Sequence, residues 1–234
     1  MTFDIMTLFP EMMDACLNQS IIGRARAAGK ITVRFHNIRD YSTDKHRRVD
    51  DTPYGGGKGM LMGPEPIYNC WRAITEGLES RPLTVYLSPK GETLTQSKAY
   101  CLRDRGHVIL LCGHYEGIDQ RVIDEIVDEE LSIGDYVLTG GELAAAIVVD
   151  CVSRLVDGVL SDSECYENET FSDGLLEYPQ YTRPFEFHGK QVPEVLISGN
   201  HERIRQWRRE QAMALTVEKR PDLLSERRKR LESE

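Results

Sequence analysis

Three glycine-bearing loops each follow a short apolar run of the kind that forms a buried strand. They are residues 88–91 (SPKG), 113–117 (GHYEG) and 133–142 (IGDYVLTGGE). In open α/β sheets, ligands bind outside the carboxyl ends of the strands, where glycine lets the backbone approach the ligand closely. One such loop alone is more typical of a plain turn, but three of them at successive strand ends predict a shared ligand site.

The third loop ends in Gly140-Gly141-Glu142, which opens a predicted helix whose N–H groups and dipole point outward. None of the three loops spells G-x-G-x-x-G, so the dinucleotide-binding fingerprint is absent from the sequence. A fourth segment, residues 55–59 (GGGKG), is not a Walker loop, because Lys58 is followed by Gly59 and not by a hydroxyl residue that holds Mg²⁺. The mismatch argues against a phosphoryl-transfer enzyme. Two interpretations of residues 55–59 stay open: a glycine loop near RNA, or a mobile turn.

Charge is distributed unevenly along the chain, although the net charge of −9 at first argues against a nucleic-acid partner. Between residues 113 and 178 the acidic residues far outnumber Arg121 and Arg154, the only arginine or lysine residues there. Basic residues cluster instead in residues 24–48 and after residue 201. RNA affinity depends on local patches facing phosphate, so the charge neither establishes nor excludes RNA.

Strand-length apolar runs alternate with helix-like segments and predict an α/β fold with a mostly parallel sheet and helices on both faces. Strands are expected at residues 3–8, 31–36, 83–87, 108–112 and 131–133. Helices are expected from Pro10 and at residues 21–28, 64–77, 119–127 and 142–152. We therefore assign residues 1–160 to one α/β domain.

The composition and periodicity of the sequence change after Leu160. Residues 161–175 begin with a polar, acidic stretch without periodicity, which predicts a flexible interdomain linker or lid. Residues 176–234 contain two predicted helices, at 200–217 and 221–231, and form a small C-terminal helical domain. In the first of these helices one face carries the partly apolar set Ile204, Trp207, Gln211 and Leu215, and arginines occupy the others.

The remaining bulk features fit a cytoplasmic protein. No apolar run approaches the roughly 20 residues that cross a bilayer, and the N-terminus has no basic signal-peptide region. The six cysteines are scattered without a C-x-x-C pair, which favours reduced structural thiols over disulfides or a zinc site.

Several long segments together resemble one known family. They are DDTPYGGGKGMLM (50–62), LSPKG (87–91), LCGHYEGIDQRV (111–122), SIGDYVLTGGELAA (132–145), GLLEYPQYTRP (174–184) and SGNHERIRQWR (198–208). In this order they resemble the bacterial tRNA (guanine-N1-)-methyltransferases of the trefoil-knotted (SPOUT) superfamily. The resemblance implies a C-terminal trefoil knot in the α/β domain, S-adenosylmethionine as methyl donor, and a homodimer whose active sites are shared between subunits. It implies tRNA as the partner and the guanine immediately 3′ of the anticodon as the target.

The resemblance also implies roles for particular residues. Glu169 takes the place of the family's aspartate general base, with nearby Asp173 as the alternative, and Arg154 takes the place of the catalytic arginine. The expected cofactor contacts are Leu87, Ser88, Pro89, Gly113, Tyr115, Glu116, Gly117, Ser132, Ile133, Gly134, Asp135, Tyr136, Val137, Leu138, Gly140 and Gly141.

RNA-binding candidates lie in the glycine loop and the C-terminal domain: Lys58, Gly59, Arg183, His201, Arg205 and Arg208. The resemblance further implies Mg²⁺, for which the sequence identifies no ligands. Two alternatives stay open at this stage: a knotted methyltransferase acting on ribosomal RNA or a ribose 2′-hydroxyl, and a non-catalytic RNA-binding module.

Overall fold

The computed structural model describes residues 1–161, 169–171 and 173–225. The chain divides into two compact units, Met1–Asp162 and Ser163–Glu234. Most of the predicted linker, residues 162–168 and 172, lies outside the described residues, as does the predicted helix beyond residue 225. No helix in the described ranges is both long and apolar enough to cross a membrane.

A five-stranded sheet forms the centre of the first unit. The elements of this unit, in chain order, are β1 (Thr2–Thr7), α1 (Pro10–Leu17), α2 (Ser20–Ala27), β2 (Thr32–Asn37), a 3-10 turn (Ile38–Tyr41), β3 (Asp50–Asp51), β4 (Leu61–Met62), α3 (Pro64–Thr75), β5 (Leu83–Thr93), α4 (Gln96–Asp104), β6 (His107–Cys112), α5 (Gln120–Ile126), β7 (Glu129–Ser132) and α6 (Glu142–Ser153). The strand order is β2-β1-β6-β5-β7, and every neighbouring pair is parallel. The predicted α/β class with a parallel sheet and flanking helices is confirmed.

Side chains on a strand alternate between the two faces of the sheet, and apolar side chains pack on both of them. Met6, Ile109 and Leu111 belong to a buried cluster with residues of α3 and α5. The intervening residues Phe3 and Ile5 are fully buried, and α6 contacts β1 and β6. Strands buried on both faces read as continuous apolar runs, which is why the sequence reveals them.

Three features of this unit were not predicted. Strand β5 continues to Thr93, with a register shift between Leu87 and Glu92, so the SPKG segment is a bulge within the strand. Helix α4 begins after Thr95, whose side chain accepts a hydrogen bond from the Lys98 N–H, but its mostly polar sequence carries little periodicity. The β3–β4 hairpin pairs only two residues a side, too few to show alternation.

The second unit contains β8 (Glu186–Phe187), β9 (Lys190–Gln191), α7 (Glu194–Ile197) and α8 (His201–Lys219), and residues 221–225 are helical. Asn200 begins α8, with its side chain accepting a hydrogen bond from the Arg203 N–H at 3.1 Å. The predicted inner face of α8 is half-buried, and Ala212 and Thr216 beside it are buried. The β8–β9 hairpin was not predicted, because its strands are as short as those of β3–β4.

One fully buried carboxylate, Asp4, joins three strands of the first unit. Its oxygens lie 2.7 Å from Nε2 of His36 on β2 and 2.6 Å from Nε2 of His107 on β6. Burial alone would raise the pKa of Asp4, but the two histidine hydrogen bonds, with the charges of His36 and Arg34, lower it below its usual value. The ionised carboxylate therefore stabilises the folded state above the ordinary aspartate pKa of about 3.9.

We expect Asp4→Asn to lower the free energy of unfolding by on the order of 3 kcal/mol at neutral pH, because a buried charge partner is removed. The gap between wild type and variant should narrow as the pH falls below about 4 and Asp4 itself becomes protonated. Urea titrations across pH measure this. Asp14→Asn is the matched control: its ion pair with Arg26 at 2.8 Å is half exposed and should contribute no more than about 1 kcal/mol. Equal losses in both variants would contradict the proposed role of Asp4.

Candidate active site

A cavity of about 330 Å³ opens at the bulge in β5 and at the carboxyl ends of β6 and β7. Three segments form most of its wall: residues 86–90, 113–118 and 131–141. These segments contain the three glycine-bearing loops, which the parallel sheet brings to one edge. The site thus lies where open α/β sheets bind their ligands.

The loop after β7 passes the end of β5 and reaches β6, although β6 and β7 are not neighbours in the sheet. Its far end is fixed there, since the Gly141 N–H donates to the Gly113 carbonyl at 2.8 Å and Gly140 bridges to His114. A Cβ atom on Gly141 would lie 2.8 Å from the Cys112 Cα, so this contact requires glycine. The close approach of two backbones explains the Gly-Gly pair before α6.

Two serines shape the other walls of the cavity. Ser88 Oγ accepts a hydrogen bond from the Lys90 N–H at 3.2 Å, and Ser132 Oγ accepts one from the Gly134 N–H at 3.1 Å. The Tyr136 ring lies against Gly134, where a Cβ atom would come within 2.7 Å of it. Both turns are therefore built by local side-chain-to-backbone hydrogen bonds, as serine favours.

The lining combines backbone groups, apolar side chains and few charges. Lys90 and Glu116 are the charged side chains among the lining residues, all of which the structure describes. Burial, together with the nearby charge of Glu130, raises the pKa of Tyr86 to about 12. Tyr86 is therefore a neutral hydroxyl group at physiological pH. Such a cavity suits a ligand with an apolar body and a few polar groups that form hydrogen bonds with the backbone.

All the residues expected from the resemblance to contact a cofactor line this cavity except Asp135. Asp135 is exposed at the outside of the tight turn in which the Tyr136 N–H donates to the Gly134 carbonyl. The lining also includes residues that were not among the expected cofactor contacts: Lys90, His114 and Thr139 within the three loops, and Leu61, Tyr86, Ile118, Ile123, Leu131 and Ala144 outside them. Most of these are apolar and cannot be told from core residues by their type.

The glycine-rich segment 55–59 lies beside this cavity. Gly59 has a φ of +91°, and a Cβ atom there would lie 2.5 Å from Cγ of Glu116. The Glu116 N–H donates to the Met60 carbonyl at 3.0 Å, which fixes the segment against the 113–117 loop. Lys58 is exposed.

Arg154 follows α6 at its carboxyl end and is half-buried. The cavity lies at the opposite end of the same helix, where Gly141 and Ala144 line it. At 1.5 Å per residue, the backbones of Gly141 and Arg154 are about 20 Å apart. The structure therefore does not bring Arg154 to the cavity within this unit of the chain.

The second predicted catalytic residue, Glu169, belongs to the second unit and is half-buried. Its alternative, Asp173, is exposed, and its Oδ1 accepts a hydrogen bond from the Leu175 N–H at 3.1 Å. The carboxylate of Asp173 is thus engaged in closing a local turn.

The remaining RNA-binding candidates are exposed in the second unit. Arg205 forms an ion pair with Glu202 one turn earlier on α8. The guanidinium of Arg208 lies over the Tyr178 ring, 4.7 Å from its centroid. Arg183 and His201 lie just before β8 and at the start of α8.

Comparison with known proteins identifies the family. Residues 1–226 match the family model described as tRNA (Guanine-1)-methyltransferase TrmD. The chain is 55% identical to the tRNA (guanine-N(1)-)-methyltransferase of Ruminiclostridium cellulolyticum, over 96% of this chain and 97% of that protein. It is 50% identical to the protein of the same name from Halalkalibacterium halodurans, over 97% and 93% of the two chains. A match of this extent, across both units and every loop of the cavity, shows that the chain belongs to the tRNA (guanine-1)-methyltransferase family.

Proposed function

We propose that this protein transfers a methyl group from S-adenosylmethionine to N1 of the guanine immediately 3′ of the anticodon in tRNA (position 37). The observation that carries the proposal is the family match over residues 1–226, which includes every segment of the glycine-lined cavity. It favours this reaction over methylation of ribosomal RNA or a ribose hydroxyl, and over RNA binding without catalysis. We place the enzyme in the cytoplasm, where its proposed substrate is found.

The cavity fits S-adenosylmethionine in its chemistry. Gly113, Gly140 and Gly141 leave no room for a Cβ atom and present backbone groups instead, and Leu138 and Ile133 supply apolar walls. We propose that backbone groups of the three loops bind the adenine and that the apolar side chains enclose it. When bound, the cofactor supplies an electrophilic methyl group.

Gly141→Ala is expected to weaken S-adenosylmethionine binding at least about tenfold and to destabilise the fold by about 1–3 kcal/mol. The added methyl group meets the Cys112 backbone at 2.8 Å, and backbone cannot yield as a side-chain end can. Isothermal calorimetry with the cofactor measures the effect.

Gly63→Ala is the matched control for this substitution. Its φ of −70° suits alanine, and the only atom near the new Cβ is the Val49 carbonyl oxygen at 3.8 Å. If Gly141→Ala bound the cofactor as tightly as Gly63→Ala does, the proposed role of the Gly-Gly contact would be wrong.

Methylation at guanine N1 requires a base and a cation. N1 carries a proton at neutral pH, so a carboxylate must accept that proton as the methyl group arrives. Negative charge then develops toward O6, which an arginine can stabilise. We propose Glu169 as the base and Arg154 as the group that holds O6. The register of the family resemblance, in which Glu169 takes the place of the aspartate base, supports Glu169 over Asp173.

We propose that the active enzyme is a homodimer with shared sites. Arg154 is about 20 Å along α6 from the cavity in its own chain, which supports the supply of this arginine by a second copy. Leu143 and Ile147 are 48% and 44% exposed, and their spacing along α6 places them on the same side as Arg154. A second copy packed on this face would bury both side chains and bring its own Arg154 toward the interface.

The finer structural features are also proposed. We propose that the segment from β7 past β5 to β6 belongs to a trefoil knot, which is supported by its fixation at Gly113. Residues 1–160, 161–175 and 176–234 are proposed as the cofactor domain, the linker that orders over the target base, and the tRNA-binding domain. Within the described ranges, no group of three or more His, Cys, Asp or Glu side chains is placed to hold a metal. We assign no step to Mg²⁺.

Methylation of tRNA transcripts that differ only at the base after the anticodon tests the proposed function. Methyl transfer from labelled S-adenosylmethionine is expected only to the transcript with guanine at this position. Replacing that guanine by 1-deazaguanine, which has carbon in place of N1, or by adenine should abolish methyl incorporation. Equal incorporation into both transcripts would disprove the proposed target.

A further inference from the structure

The β8–β9 hairpin of the second unit presents aromatic side chains on a short two-stranded ribbon. The pairs are Glu186 with Gln191 and Phe187 with Lys190, and the Val192 N–H donates to the Phe185 carbonyl at 2.9 Å. His188 and Gly189 form the turn with φ angles of +51° and +75°. Two positive φ angles indicate a type I′ turn, whose twist matches that of the strands and fixes the register.

This register separates the side chains of the hairpin onto two faces. Phe185 and Phe187 are two residues apart and share a face, and Lys190 joins them because directly paired residues point the same way. The acidic residue Glu186 lies on the other face, where it accepts a hydrogen bond from Gln191 Nε2 at 2.9 Å. Among residues 185–192, all of which the structure describes, the aromatic face carries a cation and no acid.

The aromatic face is open to solvent. Phe187 is 66% exposed and Phe185 is 44% exposed. The His188 ring meets the Phe187 ring edge-on, with centroids 4.1 Å apart, which supports the ring without covering it. The hairpin places a solvent-exposed phenylalanine beside a lysine. Proteins bind single-stranded nucleic acid with the same two elements: bases stack on aromatic rings, and cationic side chains contact the phosphates.

We propose that Phe187 stacks on an unpaired base of the RNA substrate while Lys190 contacts the adjoining phosphate. The proposal rests on the proposed tRNA substrate and adds a surface remote in sequence from the cavity loops. The chemistry favours RNA over a protein partner, because lysine is depleted at the centres of protein interfaces. Stacking also requires unpaired bases, so loop nucleotides and not the stems are the expected contact.

The test measures the affinity of the full-length protein for a tRNA transcript and for a blunt RNA duplex. Phe187→Ala and Phe187→Leu should each weaken tRNA binding by roughly 5- to 100-fold, whereas Phe187→Trp should bind as tightly as wild type, since only Trp keeps an aromatic face. Duplex binding should be the same in all four proteins. Lys190→Gln should lower the slope of log K against log salt by about 1. The matched control on the opposite face, Gln191→Ala, should leave tRNA affinity unchanged.

Three results would overturn the proposal. They are wild-type affinity for tRNA in Phe187→Ala, full retention of affinity in Phe187→Leu, and a change of oligomeric state in Phe187→Ala by analytical ultracentrifugation. Retained affinity in Phe187→Leu would show that the contact needs an apolar side chain but no aromatic ring, and a changed oligomeric state would assign the face to a contact between copies of the protein. Binding is measured without catalysis, so a wild-type protein that bound tRNA through Phe187 but failed to methylate it would reject the proposed function and keep this inference.

Discussion

Glu169→Gln is expected to lower kcat for tRNA methylation by about 10²- to 10⁴-fold, the range that a positioned general base contributes. Glutamine keeps the size of the side chain and its hydrogen bonding but cannot accept the N1 proton. Cofactor affinity should be unchanged, because the proposed cofactor cavity is built from loops of the first unit. Single-turnover methylation at saturating tRNA and S-adenosylmethionine separates the chemical step from binding.

Two further variants decide whether the base is correctly assigned. Glu169→Asp restores the residue that the family resemblance implies and should retain most of the activity. Asp173→Asn should change kcat only a few-fold, because Asp173 holds the Leu175 N–H and its loss disturbs only the local turn. If Glu169→Gln were active and Asp173→Asn inactive, the role of the base would pass to Asp173.

Arg154→Ala is expected to lower kcat by about 10²- to 10³-fold, comparable to removing one donor from an oxyanion site. Lysine at this position should restore only part of the loss, since it keeps the charge but lacks the planar fork of donors. Arg103→Ala is the matched control, because Arg103 is likewise a cation at the carboxyl end of a helix, in the last turn of α4, whereas Arg154 directly follows α6. If both alanine variants lost activity equally, Arg154 would be only a helix-terminal charge and not a catalytic group.

Mixing two inactive variants tests whether the sites are shared. Arg154→Ala lacks the proposed O6 contact, and Gly141→Ala lacks the cofactor at a low S-adenosylmethionine concentration. If each site takes its cavity from one subunit and Arg154 from the other, a mixed dimer contains one intact site. Random exchange of subunits should then restore about a quarter of wild-type activity. Complete inactivity of the exchanged mixture would show that each site lies within one subunit.

Sequence reasoning located the strands and helices that were long and strongly patterned. The run that became β6 is a continuous apolar segment, as is typical of a parallel strand buried on both faces. Sequence reasoning missed α4, whose exposed residues are mostly polar, and the β8–β9 hairpin, whose two-residue strands show no period. The same hairpin carries the exposed aromatic face, so no pattern of apolar and polar residues predicted the surface that we propose to bind RNA.

What the sequence determined by itself is that three glycine-bearing loops meet at one edge of the sheet, because the strands that carry them are parallel. What only the tertiary structure decided is which loops touch. The order β6-β5-β7 forces the chain to pass the end of β5 before Gly141 meets Gly113, and no sequence pattern encodes that order. The same holds for Asp4, which reads as a polar interruption of an apolar strand until the strands carrying His36 and His107 flank it. Contacts between residues far apart in sequence depend on strand order and register, which the fold as a whole selects.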